Sequence, residues 1–424
     1  MKLMDRLPRQ PFLLLLTVPA GIAVGVGVLP FPLIWLEWTF PAIEDIAPAF
    51  DPETARAVLG VVAGGAMTAL ALAYSITLVV FTLAAGAIGP RLLRRFVSDP
   101  VSQASAGVFG GAFIFSMATL AFVTPEGAPR LAVVGAMLLG VHVVLQLVFF
   151  VRHVAGNVSI DDEVAAIAGR LETALRDRRA RYMTLDDPPD SDAFDCAIEA
   201  SRPGYVGAFD EQALVGVAKN EDLVIRIDRG PGRFVLEGEP VILLSKNVDD
   251  ETKERIGAYV VVEPARSEGR QVEFSMHLLV EIALRALSPG VNDVYTAVAV
   301  SDAISGAIAD DLGQYEGTRG LTDADGTTRL IVPELSQREL IGQAYHPLRQ
   351  AGAGQVLMCQ ALARAYSRIY AIGGETGRGA VRHHVELLMR QIARTDMLPE
   401  DVDSILAFLP TELRGLADDA RPSN

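Results

Sequence analysis

"VLGVVAGGAMTALALAYSITLVVFTLAAGAI", residues 58–88, decides the fold class of this chain, because the stretch contains no charged side chain. The uncharged run extends over 34 residues between Arg56 and Arg91. A helix needs about 20 apolar residues to cross the hydrocarbon core of a bilayer. The segment therefore predicts a membrane-spanning helix, and its surplus length predicts that this helix tilts or projects beyond the hydrocarbon.

Three further segments, 12–36, 104–123 and 131–151, have the same apolar character. The first follows basic residues, as a signal peptide would, but its apolar run is too long and no small-residue cleavage site follows it. We therefore interpret it as a retained first span. The fold class predicted for residues 1–153 is an α-helical membrane domain of four spans.

Charge divides the chain sharply. Residues 1–152 carry 9 basic and 8 acidic side chains, which is a net charge of +1. Because the whole chain has a net charge of −15, residues 153–424 carry −16. An acidic surface is a poor binder of nucleic acid, because phosphate recognition needs basic side chains. It is also repelled by anionic lipid headgroups. The partner expected for the first part is the lipid bilayer, and the second part is expected to stand off it as a soluble body.

Loop charges predict the orientation, since cytoplasmic loops carry the excess of Lys and Arg. The basic residues next to the spans are Lys2, Arg6, Arg9, Arg91, Arg94, Arg95 and Arg152. The loop after the first span is acidic, with Glu37, Glu44, Asp45, Asp51 and Glu53. Both tryptophans, Trp35 and Trp38, lie at the outer end of the first span, where interfacial anchors are typical. Both termini are therefore expected in the cytosol.

Paired small residues in three spans indicate close helix packing, because glycines four apart let helix backbones approach each other. The candidate packing residues are Gly21, Gly25, Gly60, Gly64, Gly107 and Gly111. The contacts they favour lie either within one chain or between copies of it, and the sequence leaves both alternatives open. A homo-oligomer is the assembly that we expect.

The second span carries a weakly polar stripe, since Thr68, Ser75 and Thr82 recur every seven residues. These hydroxyls either bond to backbone carbonyls or line a pore or cavity. His142, with Gln146 one turn later, is a second candidate, because an ionisable group inside a span is a functional candidate by default. No charged residue lies in the middle of a span, and no broken helix or inverted repeat is evident, which argues against an ion-coupled carrier.

After the spans, composition predicts a cytoplasmic α+β region. Residues 154–183 are expected to form a helical stalk, and 184–192 a linker. Residues 195–264 alternate as strands do and predict a small β-rich domain. Residues 270–420 are expected to form a mainly helical cytoplasmic domain, with a hairpin turn at "DADGTTR" between two short strands.

One helix of that region, "HLLVEIALRAL", places His277, Glu281 and Arg285 on one face at four-residue spacing. A salt-bridged polar face explains the pattern. A His–carboxylate pair in a polar pocket beside residues 292 and 293 is the sharper alternative. A metal site is not predicted, because one His and one Glu fall short of a zinc ligand set.

The helix ends at "SPGVND", residues 288–293, which we name the SPGVND corner. Gly290 is suited to a left-handed conformation after the helix end, Asn292 to the turn, and Asp293 to capping the next helix. Each unusual residue thus has a structural role, which favours a corner over a catalytic loop. We find no nucleophile–base arrangement, phosphate loop or metal cluster, so no cofactor is predicted, and an enzyme that would use His277, Glu281 and Asp293 is disfavoured.

At "FSMHLLVEIALRALSPGVNDVYTAVAVSDAI", residues 274–304, the chain resembles a bacterial family of predicted membrane proteins known as domain of unknown function 2254. The resemblance extends over nearly the whole chain, with four spans followed by a region that contains the corner. Members of the family often have proline where this chain has Val294. The resemblance implies the architecture and carries no activity or catalytic residues.

Two functional hypotheses follow. The first is an oligomeric, channel-like or transport protein of the bacterial inner membrane, with a regulatory cytoplasmic domain and an unidentified ion or small-molecule ligand. The second is a membrane-anchored sensor or scaffold, whose cytoplasmic domain binds a small molecule or a protein and whose spans serve only as the anchor.

Overall fold

The computed structural model divides the chain into two compact units, Met1–Ser159 and Ile160–Asn424. We name them unit 1 and unit 2. The residues that the structure describes are 11–40, 47–87, 99–156, 159–180, 193–264, 271–309, 312 and 318–416. The basic residues used above at positions 2–9 and 91–95, the acidic residues 44 and 45, and the linker 184–192 lie outside the described residues.

Unit 1 consists of apolar helices, as the uncharged segments predict. They are α1 (Pro11–Val28), α2 (Pro30–Thr39), α3 (Pro52–Ala87), α4 (Pro100–Leu120) and α5 (Arg130–Gly156). Four stretches are long and apolar enough to cross a membrane: Thr17–Thr39, Pro52–Thr82, Pro100–Leu120 and Arg130–Ala155. The helix α4 is the most buried of these spans and packs against α1, α3 and α5.

The first span differs from the prediction of one continuous helix. It is divided at Leu29, where α1 ends and α2 begins with Pro30. The reason is local, because proline lacks the backbone N–H that would continue the helix and its ring clashes with the preceding turn, whereas the first helical position tolerates it. The interruption is confined to Leu29, whose backbone stays in the right-handed helical region, and Thr17–Thr39 remains a single apolar stretch long enough to span a membrane.

Unit 2 combines helices and strands. Its helices are α6 (Ile160–Ala180), α7 (Glu211–Asn220), α8 (Asp250–Gly257), α9 (Gln271–Ala286), α10 (Val294–Ala309), α11 (Gln337–Gly352), α12 (Val356–Ile372), α13 (Glu375–Ile392), α14 (Pro399–Leu406) and α15 (Thr411–Arg414). Its strands are β1 (Cys196–Glu199), β2 (Gly204–Phe209), β3 (Ile225–Ile227), β4 (Phe234–Val235), β5 (Pro240–Leu244), β6 (Val260–Glu263), β7 (Thr318–Thr322) and β8 (Thr328–Pro333).

Two sheets form from these strands, and one of them crosses the predicted domain boundary. The order is β1-β5-β3-β8-β7 in the five-stranded sheet and β4-β2-β6 in the three-stranded sheet. The hairpin β7–β8 forms at the predicted turn, and β8 pairs in parallel with β3. Leu330 and Val332 of β8 join the core around Ile225 and Leu214. The β-rich part is therefore not confined to residues 195–264.

The helix α6 also differs from the prediction, since it is not a free stalk. Val164, Ile167, Leu171 and Leu175 are buried, and α6 packs against α9 and α10. These apolar side chains recur every three or four residues and form the stripe of a helix that faces a core. The first helix of unit 2 is thus a component of its helical layer.

Candidate functional site

The weakly polar stripe of unit 1 lies on an exposed face of α3. Thr68, Ser75 and Thr82 are all exposed within this chain. Each hydroxyl donates to the backbone carbonyl four residues earlier, over 2.8 Å for Thr68, 2.9 Å for Ser75 and 2.8 Å for Thr82. Among the residues of unit 1 that the structure describes, the stripe therefore lines no cavity within one chain. Each oxygen still has acceptor capacity, because a hydroxyl that donates one hydrogen bond retains two lone pairs.

The stripe continues toward the start of α3 as a run of small residues. We name it the small-residue face of α3, consisting of Ala57, Gly60, Gly64, Thr68, Ala71, Ser75 and Thr82, all of them exposed. A Cβ atom added at Gly60 or Gly64 would meet nothing within 4 Å. The opposite face of α3 packs into unit 1 through Ala66, Ala69 and Ala73. The described helices of a single chain thus leave the small-residue face uncovered.

The other candidate packing glycines divide into two groups. A Cβ atom at Gly107 would lie 2.6 Å from the Cβ of Ile22, and one at Gly111 would lie 2.6 Å from the Cβ of Val26. Both glycines therefore stand at the close approach of α4 to α1. Gly21 and Gly25 have open space at the Cβ position. In α1 it is Gly27, which the paired spacing did not select, that faces α4, since a Cβ atom added there would lie 2.5 Å from Ile114 Cγ2.

The candidates His142 and Gln146 lie on α5 and differ in their surroundings. His142 is exposed on the outside of the helix, whereas Gln146 is half-buried. The Gln146 side-chain amide donates to Ser105 Oγ on α4 over 2.8 Å. The structure therefore places Gln146 in a contact between α4 and α5 and leaves His142 outside it.

Two carboxylates that cap helices, Glu37, which is buried, and Asp99, which is half-buried, were not found as caps by the sequence analysis. Glu37 accepts hydrogen bonds from the backbone N–H groups of Arg130 and Leu131, at 2.9 and 3.1 Å, and thus caps α5. Asp99 caps α4 through Ser102 N at 2.9 Å, and His153 Nε2 lies 3.1 Å from it. The Asp-Pro-x-Ser pattern at residue 99 is a readable capping signal. The partner of Glu37 is 93 residues away and has no local signal.

The SPGVND corner is built as a helix–turn–helix connection. Asp293 accepts from Thr296 N at 3.2 Å and from Thr296 Oγ1 at 2.6 Å, which makes it the cap of α10. The left-handed residue is Asn292, with φ of 50°, and not Gly290 as we expected. The Asn292 N–H donates to Ser288 O over 2.8 Å, and its side-chain oxygen accepts from Gln355 Nε2 over 3.3 Å. The corner residues are thus engaged in structural contacts.

His277, Glu281 and Arg285 lie along α9, and all three are half-buried. Each of them interacts with a neighbouring group. The carbonyl of Arg285 accepts from Ser288 Oγ over 2.6 Å, which ties the end of α9 to the corner. Asp293 is directed to Thr296 and Asn292 to Gln355. A polar pocket formed by these residues beside the helix stays a prediction.

A buried ion network in unit 2 escaped the sequence analysis because its members come from distant elements. Arg319 of β7 donates to Glu211 of α7 through both terminal nitrogens, at 2.5 and 3.1 Å, and its Nε lies 3.3 Å from Glu334. Arg178 of α6 lies 3.8 Å from the same Glu334. These ion pairs connect the helices α6 and α7 to the five-stranded sheet. Throughout the residues that the structure describes, no group of three or more His, Cys, Asp or Glu side chains is arranged to hold a metal ion.

These features define a class of protein with four apolar helices, long enough to span a membrane, followed by a compact α+β unit. Residues 14–368 match the family described as predicted membrane protein, domain of unknown function 2254. The chain belongs to this family, which confirms the resemblance. Uncharacterized proteins of Mycobacterium bovis and Mycobacterium tuberculosis are 24% identical to it over 295 residues, 66% of this chain and 57% of each relative. The match thus spans little more than half of those relatives. No solved structure matches the chain.

Proposed function

We propose that the protein assembles from several copies in the bacterial inner membrane and that the small-residue face of α3 lines the shared axis as a channel-like path. The observation that carries the proposal is this face itself, which is exposed and spaced by three or four residues over most of its length. Inside a bilayer, small residues at such spacing are typical of helix–helix contacts, because they let backbones approach closely. A second copy is the partner whose matching face would fit.

The hydroxyls of Thr68, Ser75 and Thr82 favour a water-accessible path along this face, and not a dry contact between helices. Each has satisfied its hydrogen through the backbone, so its oxygen is left as an acceptor toward the axis. The acidic charge of the later residues and the basic residues beside the spans support cytosolic termini. In this arrangement unit 2 is the regulatory part.

The test compares Gly64→Ile with Gly65→Ile in full-length protein reconstituted into nanodiscs and planar bilayers. Both glycines have open space at the Cβ position, but they are about 100° apart around the helix. The bulky side chain at position 64 is expected to shift the particle mass to smaller species and to abolish conductance. The same change at 65 should leave both unaltered. A monomeric wild-type protein without conductance, or two variants that behave alike, would refute the proposal.

The second candidate, a membrane-anchored sensor or scaffold, is favoured by the same backbone hydrogen bonds. The three hydroxyls need no water path, since each already has a carbonyl partner in its own helix. Replacing residues 1–156 by an unrelated four-span anchor distinguishes the two functions. Retention of the cellular phenotype supports the sensor, and its loss supports the channel.

A further inference from the structure

The three helices α11, α12 and α13 enclose a group of polar side chains that their surroundings leave unsatisfied. Arg349 of α11 is 8% exposed, His384 of α13 is 1% exposed, and Tyr366 of α12 is fully buried. Arg349 Nε, His384 Nδ1 and the Tyr366 hydroxyl have no hydrogen-bond partner among the described residues. Buried polar atoms are rarely left in this state, since each loses its hydrogen bonds to water.

The rings of two of these side chains lie close together, with a third ring beside them. The rings of Tyr366 and His384 are 5.8 Å apart between centroids, and His346 of α11 lies 4.4 Å from His384. Arg349 is one turn after His346 on α11, and its Nη1 donates to Gln391 of α13. The guanidinium therefore connects α11 to α13. His384 and Gln391 are seven residues apart and thus lie on the same face of α13.

The charge in this group is uncompensated. Among the described residues, no carboxylate lies within ion-pair distance of Arg349. Burial, and then Arg349, His383 and Arg338, lower the pKa of His346. Burial also lowers the pKa of His384 to about 3, followed by the effects of His346 and other basic neighbours. The surroundings are thus electropositive. A water molecule would satisfy a donor, but it supplies no counter-charge to a buried guanidinium.

We propose that Arg349, His384 and Tyr366 form a binding site for a small oxyanion, of the carboxylate or phosphate class. Because Nη1 is engaged with Gln391, the Nε–Nη2 edge of the guanidinium is left to bind two oxygens side by side. The Tyr366 hydroxyl donates to the anion, and so does His384 in the tautomer that carries its hydrogen on Nδ1. The site lies within unit 2 and does not depend on whether unit 1 conducts.

The experiment measures thermal unfolding of full-length protein in detergent, in Tris chloride, against increasing inorganic phosphate and, separately, acetate. A ligand that binds the folded state raises the melting temperature in a saturable way. We expect saturation with at least one probe. A response to phosphate alone assigns phosphate chemistry, and a response to acetate includes carboxylates.

Variants connect the response to the site. Arg349→Met should weaken binding of the responding probe at least tenfold. The matched control Arg390→Met removes the same charge from an exposed position of α13 and should leave binding unchanged. Tyr366→Phe should weaken binding while the ligand-free protein remains at least as stable as wild type, because only an unpaired hydroxyl is removed.

Three results would overturn the inference. The first is the absence of a saturable shift with either probe, which would mean that the polar atoms meet only water. The second is equal probe affinity in Arg349→Met and wild type. The third is a loss of stability in ligand-free Tyr366→Phe, which would show that the hydroxyl already has a partner. Conductance measurements test the proposed channel separately, so the two failures are distinguishable.

Discussion

The side chain of Asp293 fixes where α10 begins. One carboxylate oxygen accepts the Thr296 backbone N–H and the other accepts the Thr296 hydroxyl. These bonds, the side-chain bond first and the backbone bond second, lower the pKa of Asp293. A cap of this kind satisfies a backbone donor that the first helical turn leaves without a partner.

Replacing this cap should lower stability. Asp293→Ala is expected to reduce the free energy of unfolding by about 1 kcal/mol, and Asp293→Asn should stay close to wild type because asparagine also caps. Thermal unfolding in detergent gives the comparison. Since the folded pKa lies below the unfolded value of about 3.9, the contribution of the charge is complete above that pH. It should be lost in wild type, and not in the Asn variant, as pH falls through the folded value. Equal melting temperatures for the Ala variant and wild type would contradict this assignment.

The cap was predictable from the sequence, whereas the left-handed residue was not. Asp293 precedes an apolar helical run, which is a local signal. Gly290 and Asn292 both tolerate a positive φ, so composition could not choose between them. The choice depends on the path of the chain back to α9, where Asp293 N donates to Ala286 O over 2.8 Å.

At the scale of elements, α4 packs closely against α1 because it has glycines at the positions where α1 approaches it. Gly107 and Gly111 of α4 face Ile22 and Val26 of α1. In the opposite direction, Gly27 of α1 faces Ile114 of α4. Close backbone approach increases the van der Waals contact that holds helices together in lipid. The packing of these helices therefore depends on glycine at particular positions and not on glycine content.

Substitution by alanine should distinguish the glycines at the contact of α1 with α4 from those with open space around them. Gly111→Ala places a Cβ atom 2.6 Å from Val26 Cβ, so α1 and α4 must separate. The free energy of unfolding should fall by roughly 1–3 kcal/mol, as it does in other overpacked cores. Gly25→Ala meets nothing within 4 Å and should be neutral. Melting temperatures in the same detergent provide the measurement. A neutral Gly111→Ala would mean that the helices are not in contact there.

Helix and hairpin positions in unit 2 followed from local patterns, but the partners of these elements did not. The turn "DADGTTR" predicted β7 and β8, which the structure has. The parallel pairing of β8 with β3 joins residues about a hundred positions apart and leaves no periodic signal. The buried stripe of α6 was present in the sequence as Val164, Ile167, Leu171 and Leu175, but the charged residues of its second half favoured the interpretation as a stalk.

At the scale of the whole molecule, charge and apolar content separate the units. No charged residue lies in 153–159, so residues 160–424 carry the entire net charge of −16. This unit also has its own core, which includes Leu214, Ile225 and Leu330. The arrangement of buried Arg349, Tyr366 and His384 could not be derived from the sequence, since it depends on how three helices pack.

The division predicts that unit 2 folds alone. Residues 160–424, expressed without unit 1, should be monodisperse in buffer without detergent and should unfold cooperatively by circular dichroism. The reason is that the fragment retains both sheets and its helical layer and carries a high net charge, which opposes association. The full-length chain should need detergent. An aggregated fragment, or a full-length chain that is monodisperse in plain buffer, would contradict the division.

The position of β8 in the sheet has a consequence during synthesis. Strand β3 is flanked by β5 and β8, yet about a hundred residues are translated between β3 and β8. At common rates of elongation, the ribosome needs roughly 5–20 s to deliver that neighbour. Throughout this interval the nascent chain displays an open strand edge, which is the kind of surface that molecular chaperones shield.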